Sequence, residues 1–478
     1  MKTNTKITIL PIVALSLLMP AAGRADSLLD IYQQALQSDP LIHEAEARRL
    51  AALEAKPQAR GVLLPQINAS GDWTQSESSG ANVQFDSDQN NFRAVNSDSE
   101  SETRQWQVSL RQTLFRWDQI VGLRRADKVV ARAEANREAA QQDLIVRVTQ
   151  RYFDVLAAED RLVAINANKQ AIARQLEQAK QRFDVGLIAI TDVQESQAAF
   201  DESVANEIAA KRSLATSREL LREITGTYIR ELSAPVEKFP LNSPQPAAEK
   251  DWVDLSMSQN LALVAARLDE EVARDQISLQ RNGHYPTLDL VVSTGNRDTE
   301  SDRNVDGSPF FPADSEGDSD SISLQFNVPL FAGGTTSSRV KQAIYEHRAE
   351  RERLQRVTRE TERQARDAYL GVLSEISRVK ALEQAVASSR TALEATEAGF
   401  DVGTRTIVDV LNSQFALYNS ITNFYQARYD YILNMMRLKQ AAGNLQVQDL
   451  ERLDQFLEAR MPPEDQFAQA EQEASESK

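Results

Sequence analysis

The chain has 478 residues, a formal net charge of −16, no cysteine and only three histidines. The absence of cysteine excludes disulfides and thiolate chemistry, and so acidic a chain is a poor partner for nucleic acid. The sequence also lacks the His-x-x-His and Glu-x-x-His clusters of metal sites, so we expect no enzyme, no cofactor and no bound metal.

Residues 1–25 have the composition of a secretory signal peptide. Two lysines precede a short apolar run, and a Gly-Arg-Ala sequence ends the segment with small residues at the −3 and −1 positions. A lone membrane anchor is the alternative, but two prolines interrupt the run. We expect a mature chain that starts near Asp26, with a charge of −19 after the loss of three positive charges and no later apolar run long enough for a transmembrane helix.

Two strands are predicted early in the mature chain and two more about two hundred residues later. In the clearest strand, from Thr103 to Leu114, apolar and polar residues alternate, and the segment from Ser321 to Leu330 repeats this alternation. A period of two gives a strand one apolar face and one polar face. Weaker strands at 67–73 and 288–292 precede these two. Each strand spans about 10–13 residues, enough to cross an outer membrane when tilted.

Acidic stretches rich in glycine and serine separate the paired strands, and we predict extracellular loops at 79–101 and 300–319. The alternative is a soluble β-sandwich, which has shorter strands and a hydrophobic inward face. Four strands cannot close a barrel, because barrels begin at about eight strands and lipid does not tolerate an open edge. If the strands lie in a membrane, two, three or four chains must share one barrel, and the pattern leaves that number open.

A very long helix is predicted after each pair of strands. The segment from Asp118 to Phe183 has no proline and a single glycine. Apolar residues recur there, and again from Leu354 to Phe400, in steps of three, four or seven, which is the spacing of a coiled-coil seam. About 66 residues at 1.5 Å each would reach roughly 100 Å. Packing between helices is therefore the expected role of these apolar residues.

The end of each long helix carries the same motif. RFDVGLIAITDVQESQ at 182–197 recurs as GFDVGTRTIVDVLNSQ at 399–414, and Gly186 and Gly403 lie where a left-handed residue would end the helix. A new helix starts a few residues later, so each motif is predicted to form the tip of a helical hairpin, remote from the strands.

The residues after these glycines have the spacing of helix caps. Thr406 and Asp409 match a capping box. In the first copy Thr191 offers a hydroxyl cap and Asp192 an acidic residue in the first turn. From the residues alone, capping is the favoured role of both aspartates.

The repeated order indicates a duplicated domain rather than a solenoid. We predict a first repeat at 26–226 and a second at 251–444. A proline-rich linker at 227–250 joins them, and residues 445–478 form a C-terminal segment that ends in an acidic tail.

RFDVGLIAITDVQ and GFDVGTRTIVDVL resemble the two periplasmic tips of the TolC-type outer-membrane channels, the outer membrane factor family. LLPQ, RNGHYPTLDLVVSTGN, VKQA at 340–343 and the stretch from ANEI to REITG also match in order, so the resemblance covers essentially 26–455. It implies a mixed α/β membrane protein that forms a homotrimer. Twelve strands, four per chain, would form an outer-membrane β-barrel continuous with a long α-helical coiled-coil barrel, and 227–250 and the segment after Leu445 would form an equatorial girdle.

The resemblance further implies an exit duct for multidrug efflux and type I protein secretion, located in the cell outer membrane with its helices in the periplasm. The implied partners are outer-membrane lipid, a periplasmic adaptor (membrane fusion) protein, and an inner-membrane pump of the RND, ABC or MFS class. The main alternative is a periplasmic coiled-coil adaptor or spacer without a pore, which predicts one hairpin and no membrane strands.

The same resemblance gives roles to residues of the tips. It places Asp409 in the lumen, where three carboxylates would form a cation-selective constriction of the gate. It also implies a latch in which Arg405 reaches Thr191 and Asp192, with a strength on the order of 1 kcal/mol.

Two residues depart from the family pattern. Phe400 replaces the latch tyrosine and lacks its hydroxyl, and Asn412 replaces a second lumen-facing aspartate. We therefore expect a looser gate that binds cations less strongly than is typical of the family. The outward faces of the tips match contacts for the hairpin of the adaptor, and these residues are Val185, Gly186, Leu187, Val402, Gly403 and Thr404.

Overall fold

A computed structural model of the chain describes residues 26–86, 91–306, 308–310 and 314–463. The predicted signal peptide lies outside the described residues, and so does the predicted acidic tail, 456–478, from residue 464 onward. Within the described part of the chain, no helix combines the length and the apolar character needed to cross a bilayer.

The first half consists of three short helices, two long strands and a helical hairpin. Ser27 and Asp30 form a reciprocal capping box that starts the first helix. The elements are α1 (Leu28–Ser38), α2 (Pro40–Leu53), α3 (Ala55–Gly61), β1 (Gln66–Asp86), β2 (Asn91–Phe115), α4 (Trp117–Asp184), α5 (Ile190–Thr225) and the short strand β3 (Ser233–Pro235).

The second half repeats this order of helices, strands and hairpin, in agreement with the predicted duplication. A 3-10 turn at Asn282–His284 leads into its first strand. The elements are α6 (Glu249–Gln259), α7 (Leu261–Arg281), β4 (Thr287–Val305), β5 (Ser308–Phe310), β6 (Ser315–Asn327), α8 (Thr335–Asp401), α9 (Ile407–Ala442), α10 (Val447–Asp454) and β7 (Leu457–Ala459).

One antiparallel sheet contains β1, β2, β4 and β6 in that order, and β5 pairs with the end of β4. Its register places Ile67, Leu110, Val292 and Ile322 side by side, so every strand contributes an apolar residue to the same face at this level. Ile67 is 69% exposed and Ile322 is 79% exposed. A soluble sandwich would bury such a face, whereas a barrel strand turns it toward lipid.

The strands are longer than the sequence predicts. β1 has 21 residues and β2 has 25, so most of the loop predicted at 79–101 is strand, as is much of 300–319. The loop prediction was wrong because it followed the apolar alternation, which stops where both faces become polar. The backbone ladder needs no apolar side chain and continues beyond that point, supported by hydrogen bonds such as Ser76 Oγ to Ser101 Oγ at 2.8 Å.

The two longest helices match the predicted coiled-coil segments. α4 has 68 residues and α8 has 67, or about 100 Å each at 1.5 Å per residue. The predicted seam of α4 is buried at Leu144, Val148 and Tyr152, each 0% exposed. In α8 the predicted seam is buried from Tyr369 to Val379, whereas Leu354 and Leu393 are half-buried.

A belt of short segments surrounds the middle of the helices. β3 pairs antiparallel with β7, and Asp26 forms a parallel bridge with Leu232. The backbone N–H of Leu28 donates to the Asp454 carboxylate at 3.1 Å. The first described residues, the connection between the two halves and the last described residues therefore meet at one level.

The belt contains a buried ion pair. The Asp160 side chain is 2% exposed and pairs with Arg460, which is 25% exposed. The Tyr429 hydroxyl donates a hydrogen bond to the same carboxylate. A buried carboxylate is tolerated only with such partners, so the C-terminal segment helps to hold the helices together.

Replacing Arg460 with leucine should destabilise the protein by about 2–4 kcal/mol, because it leaves the Asp160 carboxylate buried without a cation. Arg452→Leu is the control, since Arg452 is 74% exposed and lies 3.9 Å from Asp449. The midpoint of thermal unfolding, followed by circular dichroism, measures both effects. Equal shifts for the two variants would contradict a special role for Arg460.

Candidate gate and docking tips

The first tip is a helix end built on Gly186. This glycine has φ 75°, a left-handed conformation that costs a side-chain-bearing residue more than it costs glycine. Its N–H donates to the Phe183 carbonyl at 2.8 Å, and the Leu187 N–H donates to the Arg182 carbonyl at 2.9 Å. These two bonds form a Schellman motif that satisfies the last carbonyls of α4.

The second tip has the same geometry. Gly403 also has φ 75°, and its N–H donates to the Phe400 carbonyl at 3.0 Å. The Thr404 N–H donates to the Gly399 carbonyl at 2.8 Å. The duplicated sequence therefore gives a duplicated helix end, as predicted for both glycines.

The helix after the second tip starts with the predicted capping box. Thr406 Oγ1 accepts from the Asp409 N–H at 3.3 Å, and the Asp409 carboxylate accepts from the Thr406 N–H at 2.9 Å. The pKa of Asp409 is held below its ordinary value, chiefly by the hydrogen bond from the Thr406 N–H. The hydrogen bond from the Thr406 hydroxyl and the positive charge of Arg405 lower it further. The side chain is therefore a carboxylate at neutral pH.

The helix after the first tip starts differently. Its N-cap is Ala189, which makes no side-chain capping bond, and the helix begins at Ile190. The prediction that Thr191 caps this helix was wrong, because the helix starts two residues earlier than that role requires. Asp192 lies in the first turn, as predicted.

The residues predicted to contact an adaptor are all exposed. Val185, Leu187 and Val402 are 70%, 72% and 75% exposed, and Thr404 is also exposed. Gly186 and Gly403 have open space where a Cβ would lie. Apolar side chains this exposed, beside two backbones that a partner can approach closely, give each tip the character of a contact surface.

The predicted latch is not formed within one chain. No hydrogen bond or ion pair joins Arg405 to Thr191 or Asp192 in the described part of the chain. Instead the stem of Arg405 packs against Gly399, where an added Cβ would lie 2.7 Å from Arg405 Cγ. Both Arg405 and Asn412 are exposed, Asn412 one helical turn beyond Asp409.

The tips of one chain are joined by Arg182 and Asp401, which were not among the predicted site residues, together with Phe400, which was. Arg182 Nη2 lies 2.7 Å from Asp401 Oδ1, and the guanidinium carbon of Arg182 lies 4.8 Å from the centre of the Phe400 ring. Arg182 is in the last turn of α4, and the other two residues are in the last turn of α8. The only sign of this contact in the sequence is a basic residue in the last turn of α4 and an acidic residue in the last turn of α8.

Comparisons with known proteins cover nearly the whole chain. A family described as outer membrane efflux protein matches residues 31–227 and 252–444. The chain is 39% identical over 434 residues to the outer membrane protein TolC of Vibrio cholerae, covering 90% of this chain and 94% of that protein. This chain belongs to the outer membrane efflux protein family.

Two further similarities agree with this membership. The alkaline protease secretion protein AprF of Pseudomonas aeruginosa is 29% identical over 444 residues, covering 92% of this chain and 89% of AprF. The crystal structure of the Campylobacter jejuni CmeC outer membrane channel matches with a TM-score of 0.69 at 13% identity, covering 95% of this chain and 97% of that one. The expected fold is therefore confirmed, and this outer membrane efflux protein is an outer-membrane channel component with a periplasmic helical part.

Proposed function

We propose that three copies of this outer membrane efflux protein form one duct, which exports small toxic compounds and proteins of type I secretion systems. The observation that carries the proposal is the sheet, which has an exposed apolar face and, in the described residues, outer strands β1 and β6 that pair on one side only. In lipid an unpaired edge leaves backbone groups unsatisfied at several kcal/mol each. Three chains with four strands each close a twelve-stranded barrel and remove the edges.

Several facts support export through such a duct. The name of the Pseudomonas aeruginosa relative assigns protease secretion to that protein, and the Vibrio cholerae relative is a TolC. The helices of about 100 Å would carry the passage far into the periplasm. The alternative of a non-pore adaptor or spacer has no such support, because it predicts one hairpin and no membrane strands, whereas the described residues form two helical hairpins and four long strands.

The gate is proposed at the periplasmic end, with Asp409 as its constriction. Asp409 and Asn412 are three residues apart on α9 and therefore lie on one face of that helix. Around the axis of a trimer, three Asp409 carboxylates would attract cations and repel one another. Asn412 adds no charge, so this duct would have a single carboxylate ring.

The latch is proposed between neighbouring chains. Arg405 is exposed and makes no bond to Thr191 or Asp192 of its own chain within the described residues, which leaves the first tip of an adjacent chain as the source of these acceptors. An arginine–carboxylate contact at a solvated site is worth about 1 kcal/mol, which suits a closure that must be reversible.

The exposed tips are proposed to receive a periplasmic adaptor protein, which links the duct to an inner-membrane pump of the RND, ABC or MFS class. The observation that supports this is the strong exposure of Val185, Leu187 and Val402 at the end of the hairpins. Apolar side chains this exposed are not covered by any of the described residues, and they fit the tip of another helical hairpin.

Purified protein in planar lipid bilayers should conduct ions, and trivalent cations should block the current. Asp409→Asn removes the charge but keeps an oxygen that can accept the Thr406 N–H, whereas Asp409→Ala removes both. If the carboxylate ring binds cations, both variants lose the block to the same extent. Asn412→Asp should strengthen the block by adding a second ring.

Thermal unfolding of the same variants separates charge from capping. Asp409→Ala should unfold at a lower temperature than Asp409→Asn, because only the alanine variant loses the acceptor of the capping box. Absence of conductance from the wild-type protein would contradict the duct. Conductance with an unchanged cation block in Asp409→Asn would contradict the constriction alone.

Gly403→Trp should abolish adaptor-dependent export and leave the oligomer intact, because its large side chain would stand in open space on the docking face. Gly403→Asn is the matched control, since asparagine tolerates a left-handed conformation and adds little bulk. Export is measured as the minimum inhibitory concentration of a pumped compound, and assembly by gel filtration in detergent. Normal export in the Trp variant, or loss of its oligomer, would contradict docking at this glycine.

A further inference from the structure

The two hairpin tips of one chain are held together by a contact centred on Arg182. Its Nη2 atom lies 2.7 Å from Asp401 Oδ1, and its guanidinium carbon is 4.8 Å from the centre of the Phe400 ring. A planar guanidinium can form an ion pair at its edge and lie against an aromatic ring with its face. One side chain of the first tip therefore holds two consecutive residues of the second.

The duplicated motif is asymmetric at this position. The first copy has Arg182 before its Phe-Asp pair, and the second copy has Gly399 before Phe400 and Asp401. Gly399 leaves room for the stem of Arg405, which an added Cβ would meet at 2.7 Å. The first tip thus supplies the cation of the contact, and the second tip supplies the anion and the ring.

Both sides of the contact are bonded to the exposed ends of the tips. The Arg182 carbonyl accepts the Leu187 N–H at 2.9 Å, and the Phe400 carbonyl accepts the Gly403 N–H at 3.0 Å. A movement of either exposed tip would therefore pull on the residues that form the contact. Because Arg182 is 31% exposed and Asp401 is 66% exposed, water can compete for the pair and the contact can break and form again.

We propose that Arg182 is a positioning residue of the gate, which holds the two tips of each chain together in the closed state and releases them when the duct opens. This proposal rests on the duct function proposed above. Phe400 lacks the hydroxyl of the tyrosine that the family pattern has at this position. In this protein its ring instead contacts the face of the Arg182 guanidinium. The contact lies within a chain, so it acts separately from the proposed latch between chains.

A charge exchange tests the contact. Arg182→Glu and Asp401→Arg should each raise the ratio of open to closed channels in planar bilayers. The expected increase is roughly two- to fivefold for each ion pair that is broken, because an exposed ion pair contributes about that factor to an equilibrium. The double variant restores a pair of opposite charges and should return toward the wild-type ratio. Glu394→Arg is the matched control for Asp401→Arg, because both variants replace an acidic residue of α8 with arginine. Glu394 is exposed, lies two turns before Asp401 and has no ion pair among the described residues.

The outcomes separate this proposal from the duct on which it rests. A wild-type protein that does not conduct would remove both. A conducting wild-type protein whose single variants match Glu394→Arg, or a double variant no closer to wild type than the single ones, would overturn the contact and leave the duct standing.

A chemical cross-link gives a second test that does not depend on charge. The chain has no cysteine, so Arg182→Cys with Asp401→Cys creates a single pair of thiols in each subunit. Joining them with a short bismaleimide should stop the adaptor-driven export that the same double variant shows before treatment. In either single-cysteine variant the reagent should not change the export that this variant shows before treatment. Full export after complete cross-linking would overturn the proposal.

Discussion

A sheet in lipid cannot leave its edges unpaired, and the architecture of this protein depends on that constraint. The four long strands give one apolar face, marked by Ile67 and Ile322 at the outer strands, and each outer strand pairs on one side only in the described chain. Water could satisfy those edges and lipid cannot. The need for further copies of the chain follows from the backbone rather than from any particular side chain.

The same requirement for satisfied backbone groups shapes the opposite end of the molecule. Each long helix ends in a Schellman motif at a glycine with φ 75°, and only the second tip restarts its helix with a side-chain capping box. Asp409 performs that capping and also carries the charge of the proposed constriction. Capping and gating are therefore compatible roles for one carboxylate, because the bonds that start the helix also keep it ionised.

The parts of the fold that depend on local sequence were predictable. The helix expected from Asp118 to Phe183 extends from Trp117 to Asp184, since no proline or left-handed glycine interrupts it earlier. Strand ends were missed because pairing continues where the apolar pattern stops. The contact between Arg182 and Asp401 joins residues 219 positions apart, and its existence depends on how two hairpins lie side by side, which no local pattern contains.

The central claim is that the strands lie in lipid and that three chains share them. Native mass spectrometry of the protein released from lipid nanodiscs tests this most directly, because it counts the chains in one membrane-inserted particle. The account predicts a particle of three chains that requires lipid or detergent to stay in solution. A water-soluble single chain, or a membrane particle with another number of chains, would contradict it.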